Sequence, residues 1–80
     1  MGTPVERCVV TFGSTAGAMA MEQACKAAGV PGRLIPVPRS ITAGCGMCWA
    51  APAADRPQVE ELLIREGLNP DGIYTILFPR

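Results

Sequence analysis

Apolar and polar positions alternate from residue 7 to residue 12, with Cys8, Val10 and Phe12 on one side and Val9 and Thr11 on the other. That period of two, rich in β-branched residues, predicts a strand from Arg7 to Phe12. Gly13-Ser14-Thr15 then opens a segment where Ala18, Met21, Cys25 and Ala28 recur at helical spacing and form an expected buried stripe. Ser14 or Thr15 is the expected N-cap, Gly29 the stop with Pro31 beyond it, and Glu22 and Lys26 an exposed i,i+4 pair. Arg33 to Val37 predicts a second strand and Gly46 to Ala51 a third, joined by the loop from Pro38 to Cys45. Asp55 is the expected cap of a second helix, with Gln58 completing a capping box and Pro57 in the first turn. Val59, Leu62 and Leu63 give that helix its buried side, and Gly67 ends it. Asn69-Pro70-Asp71-Gly72 is a turn, and Ile73 to Phe78 the last strand.

Two prolines fix one place in the sheet. Pro36 and Pro38 lack an amide donor, and residues two apart in a strand point their amides to the same side. One flank of the second strand cannot pair, so that strand is an edge with its proline side toward solvent. Strand, helix, strand, strand, helix, strand in a single 80-residue domain suits an α+β ferredoxin-like βαββαβ sandwich, a four-stranded antiparallel sheet with two helices on one face. In that layout the second strand is an edge, as the prolines demand. The same layout brings the loop between the second and third strands beside the first helix's N-terminus. Cys45 is then expected near Gly13, Ser14 and Thr15.

Seven basic and seven acidic side chains cancel, no basic run occurs, and the aromatics are Phe12, Trp49, Tyr74 and Phe78. Nucleic acid is not an expected partner. No apolar run approaches the roughly 20 residues of a membrane span, and Met-Gly-Thr-Pro-Val-Glu-Arg carries no signal-sequence pattern. The expectation is a cytoplasmic protein without a membrane partner. In a reducing compartment the four cysteines, at 8, 25, 45 and 48, are free thiols, metal ligands or redox groups rather than structural disulfides. The absence of histidine removes the commonest general base and metal ligand.

Cys8 and Cys25 sit on the apolar sides of their elements and are expected to be buried packing groups. Cys45 is different: Gly44 and Gly46 leave it uncrowded, and the amides of a nearby helix N-terminus and of the glycine loop favour a thiolate. Arg39 adds a positive charge to the same loop. The plainer alternative makes Cys45 a small apolar residue at the start of a strand, and Ser14 and Thr15 simple caps. Cys45-Gly46-Met47-Cys48 is formally a C-x-x-C pair, half of a zinc site or a dithiol. Zinc would draw Cys8 or Cys25 out of the core, so no metal site is expected. An extended chain over residues 45–48 would hold the two cysteine Cα atoms about 10 Å apart, beyond disulfide reach. Only a turn at Gly46-Met47 would bring them together. Cys48 also reads as an inward-facing strand residue, and Trp49 as cover for a sheet face or as a partner contact.

The residues Phe12-x-Ser14-Thr15-x-x-Ala18-x-x-x-Glu22, Arg33-Leu34-Ile35-Pro36-Val37-Pro38-Arg39 and Ala43-Gly44-Cys45-Gly46 resemble the selenium/sulfur (Se/S) carrier protein-like family of small bacterial and archaeal domains. The resemblance covers nearly the whole chain, and its most specific part is Pro-Arg, a short loop, then Cys-Gly. It implies a carrier rather than an enzyme, with no cofactor. Cys45 would take up the chalcogen as a persulfide or selenosulfide, with Ser14, Thr15, Arg39, Gly44 and Gly46 in support. The implied partners are a donor such as a cysteine desulfurase and an acceptor such as a TusA-like sulfur-carrier domain, to which members of the family are fused or linked. Such proteins usually carry an apolar residue where this chain has Cys48. Two alternatives stay open on that departure: a thiol-disulfide redox protein using Cys45 and Cys48, and a non-catalytic interaction module docking through Trp49 and the proline edge.

Overall fold

The structure is a computed structural model and describes residues 5–38, 41 and 46–78 of the chain. Its elements are β1 (Val5–Thr11), α1 (Thr15–Ala28), β2 (Arg33–Pro36), β3 (Met47–Pro52), α2 (Arg56–Arg65) and β4 (Gly72–Phe78), with a 3₁₀ turn over Ala53–Asp55. The strands lie in the order β2-β3-β1-β4 with every neighbouring pair antiparallel. Both helices pack on one face. This is the α+β ferredoxin-like sandwich expected from the sequence.

Local chemistry explains where α1 starts and stops. Ser14 is extended at φ −146°, ψ 155°, and its side-chain oxygen accepts from the Gly17 amide at 3.2 Å, so one orphan donor of the first turn is satisfied. Gly29 closes the helix at φ 74°, a left-handed conformation that costs glycine little. The chain then reverses, and the Val30 amide donates to the Cys25 carbonyl at 2.9 Å. Val30 packs against the core beyond that reversal, while Ala28, expected in the buried stripe, is exposed. Glu22 and Lys26 do not close an ion pair among the described residues, where the pairs are Arg56–Glu60 and Arg65–Glu66. Ordering two exposed long side chains cancels most of the small Coulomb gain of such a contact.

The start of α2 differs from expectation. Asp55 ends the 3₁₀ turn at φ −94°, ψ 5°, and its side chain makes no capping hydrogen bond, so the box with Gln58 does not form. A cap residue has to be extended for its side chain to reach the next turn's amides, and the 3₁₀ turn denies Asp55 that geometry. Arg56 fastens this end instead. Its Nε donates to Glu60 Oε2 at 3.2 Å and its Nη1 to Thr75 Oγ1 at 2.7 Å, tying α2 to β4.

The core between helices and sheet holds Cys8, Val10 and Phe12 from β1 and its end, Trp49 and Ala51 from β3, Ala18, Met21 and Cys25 from α1, and Val59, Leu62 and Leu63 from α2. Trp49 is 2% exposed, and its indole N–H has no acceptor among the described residues. Gly32, at φ 146°, lies flat on that ring: a Cβ there would stand 2.7 Å from indole carbons and 2.6 Å from the Ala50 carbonyl oxygen. Only glycine lets the chain enter β2 so close to the indole.

At the β2 edge the Val37 amide donates to the Gly46 carbonyl at 3.0 Å, on the side facing β3. The ring nitrogens of Pro36 and Pro38 alternate to the other side, the outer rim of the sheet. The face away from the helices carries a second apolar cluster of Val9, Cys48, Ala50 and Ile41, with Ile35, Val37, Ile76 and Phe78 packed around it.

Candidate functional site

Register puts the entrance to β3 at the end of the sheet where α1 begins. Thr11, the last residue of β1, pairs with Cys48, the second residue of β3, so the entrance to β3 and the Gly13-Ser14-Thr15 exit from β1 share one end of the fold. Gly13, Ser14 and Thr15 are all exposed there. Ser14's oxygen is occupied as the helix cap. Exposed amides at the start of a 14-residue helix give this end a partial positive charge. Arg39, Gly44 and Cys45 lie outside the described residues, so what the structure provides is the frame around them.

That frame corrects one expectation. β3 begins at Met47 rather than Gly46, and Gly46 is exposed at φ 76°. A Cβ on Gly46 would meet nothing within 4 Å, so glycine is favoured there by backbone conformation and not by lack of space. A left-handed residue turns the chain, so the approach to β3 is not extended at Gly46. The distance objection to a bond between Cys45 and Cys48 loses its premise.

The other three thiols are all 0% exposed. Cys8 and Cys25 lie in the helix-side core, as expected. Burial pushes the Cys25 thiol up to about 11. It also raises Cys8, against an opposing pull from the Arg56 guanidinium and with a smaller push from Glu60. Both are therefore neutral near pH 7, with little thiolate to act as nucleophile. A zinc site drawing on either would dismantle the core that holds it.

Cys48 is buried too, but against the face away from the helices, between Val9, Ala50 and Ile41. Trp49, its neighbour, points the opposite way into the helix-side core. Its burial removes Trp49 from any docking surface. Sequence reasoning alone does not find Ile41, which comes from the β2–β3 connection to cover Cys48, nor the grouping of Arg7 and Arg33 on the open face. The available signal is parity, since Arg7 has the same strand phase as Val9, and Arg33 the same as Ile35.

The described residues form a ferredoxin-like sandwich that buries three of the chain's four thiols. Over residues 7–75 the chain matches the family described as "Putative Se/S carrier protein-like", and it belongs to that family. No curated protein and no solved structure matches it. Among the described residues no helix is long and apolar enough to cross a membrane.

Proposed function

We propose that the protein is a chalcogen carrier in the reducing cytoplasm and that Cys45 is the carrying residue. The observation behind this assignment is that Cys8, Cys25 and Cys48 are all fully buried, so none of them can enter a partner's active site without partial unfolding. Cys45 is the remaining thiol of the sequence, and it adjoins an exposed left-handed glycine. Support also comes from family membership and from the end of the fold shared by the β3 entrance and the start of α1, where exposed helix amides would favour a nearby thiolate.

In the transfer, the Cys45 thiolate attacks the outer sulfur of a donor persulfide. A new S–S bond forms on Cys45, the donor's own S–S bond breaks, and the donor cysteine leaves as a thiolate, with no net oxidation. Selenium follows the same course, the donor's S–Se bond breaking as the selenosulfide forms on Cys45. Delivery repeats the exchange with an acceptor thiol. A cysteine desulfurase is the class of donor this requires, and a TusA-like sulfur-carrier domain the class of acceptor.

The test is incubation with a cysteine desulfurase and cysteine, trapping of the products, and mapping of added mass by peptide. A persulfide on Cys45 that survives in Cys48→Ser and disappears in Cys45→Ser is the expected result. The Gly46 turn favours a second reading, in which Cys45 and Cys48 give up two protons and two electrons to an oxidised partner and form a disulfide. If neither cysteine gains sulfur, yet oxidation yields a reversible Cys45–Cys48 bond, that reading replaces the carrier.

A further inference from the structure

On the helix-free face, at the end of β3 away from the Cys45 loop, lies a shallow basin of about 280 Å³. Arg7, Arg33, Ile35, Ala50, Pro52 and Phe78 line it. Ala50 pairs with Val9 on one side and with Arg33 on the other, while Pro52 pairs with Arg7. Arg7 and Arg33 are thus on one face, two strands and one pleat repeat apart, which sets their Cα atoms at roughly 12 Å. Two arginine side chains can close that separation over a small ligand.

Among the described residues the charge in this basin is uncompensated. No acidic side chain lines it, and neither arginine has an ion-pair partner among the described residues. Glu6, the acid next to Arg7, has the opposite strand phase and faces the helix side. The Arg7 guanidinium carbon sits 5.8 Å from the centroid of the Phe78 ring, a cation–π contact that holds the group at the rim and leaves N–H donors unused. Between the two arginines the floor is proline, alanine and isoleucine. In a chain of zero net charge, two positive charges over an apolar floor select for a ligand that is both anionic and apolar.

We propose that this basin binds a small phosphate monoester carried on an apolar, aromatic-sized body. The phosphate would lie between the guanidinium forks of Arg7 and Arg33, and the body against Ile35, Ala50, Pro52 and Phe78. A monoester fits better than a carboxylate because its charge near pH 7, about −1.5 to −2, matches two guanidinium groups. Gly32 borders the same basin, and its backbone position is already fixed by Trp49, so the rim is preformed.

The experiment is a titration of the full ¹⁵N-labelled chain with 2-naphthyl phosphate, 2-naphthoate and neutral 2-naphthol, followed by NMR. The phosphate should shift the Arg7 and Arg33 side-chain Nε–H signals and the Ala50 and Phe78 amides, with saturation. 2-Naphthoate should bind more weakly, and 2-naphthol at least about 10-fold more weakly, because it forfeits the charged hydrogen bonds. Arg7→Gln and Arg33→Gln should each weaken the phosphate about 10-fold. Arg7→Lys should recover only part of the loss, since the fork is gone. Added salt should weaken binding to the unmodified chain, a readout that needs no variant. Cys45→Ser should titrate like the parent, so failure of the carrier reading and failure of this one are separate events. Equal binding of 2-naphthol would reduce the basin to an apolar cleft, and shifts confined to residues 14–17 would move the anion to the α1 N-terminus. Tighter binding of an acidic, aromatic peptide than of the phosphate would make the basin a protein-docking face. Any of these three results overturns the proposal.

Discussion

The two faces of the sheet are built from the same strands but to different ends. On the helix side the residues are large and sealed: Trp49, Phe12, Met21 and Leu62 are each 2% exposed or less, and both thiols there are raised by burial. On the other side the buried residues are smaller, Val9, Cys48 and Ala50, grouped with Ile41 and bordered at one end by two arginines that have no ion-pair partner among the described residues. Strand alternation lets one face carry the large sealed core while the other carries a smaller cluster bordered by Arg7 and Arg33. A change on the helix side should therefore act on folding, and a change on the open side mainly on function.

The largest test sets Trp49→Ala against Val9→Ala. Loss of the indole should cost about 3–5 kcal/mol, enough to leave so small a domain largely unfolded. Val9→Ala, which removes less and lies beside the open basin, should cost about 1–2 kcal/mol. Urea melts of both decide the matter, and equal losses would erase the distinction between the faces.

Alkali should act on the helix side, through its buried thiols. The Cys25 pKa is raised from 9.0 to about 11 in the fold, so its contribution is fully present below pH 9. Above that the unfolded chain ionises first, and stability should fall by on the order of 1–3 kcal/mol as pH rises toward 11. Cys25→Ala should flatten that decline in melts run at pH 8 and pH 10.5.

Two glycines sharpen the contrast between packing and conformation. Gly32→Ala drives a Cβ into the Ala50 carbonyl and the Trp49 ring, and should cost about 2–3 kcal/mol. Gly46→Ala meets no atom within 4 Å and should cost only the left-handed penalty, about 1–2 kcal/mol. Smallest of all, Ser14→Ala should cost about 1 kcal/mol through the lost cap, with Ser14→Asp restoring most of it. A Gly46→Ala loss larger than that of Gly32→Ala would mean that the loop, rather than the indole, is the tighter constraint.

Much of this was legible in the sequence, for reasons specific to each element. Ser14 and Gly29 punctuate α1 by local chemistry that needs no tertiary partner, so the ends of that helix were readable. Pro36 and Pro38 placed β2 at an edge because a missing donor is a property of the residue. Asp55 misled because the 3₁₀ turn it ends belongs to a tertiary arrangement in which Arg56 reaches Thr75 on a distant strand. Cys48 and Trp49 are both apolar, so their pattern did not reveal which of them faces the helices; the pairing of β3 with β1 did. Arg7 and Arg33, far apart in sequence, meet only through that same register. Cys45 stood out by its glycine neighbours and its family motif; it lies outside the described residues, and beside it the structure corrects the start of β3.

The two rims of the sheet differ as much as its faces, and that difference bears on how another strand would add to the protein. β4 runs Gly72–Phe78 without a proline or a charge, has no described strand on its outer flank, and exposes 64% of Leu77. Such a rim invites another strand. The opposite rim is blunted by Pro36 and Pro38, whose missing donors disfavour one. A molecule that is adhesive along one rim and blunted along the other has a valence of one. Edge-to-edge growth through β4 therefore terminates when two copies meet, because the doubled sheet then presents prolines at both ends. In a crowded cell or a concentrated solution, this asymmetry channels strand addition into a pair and denies it the repeating contact that a fibre requires.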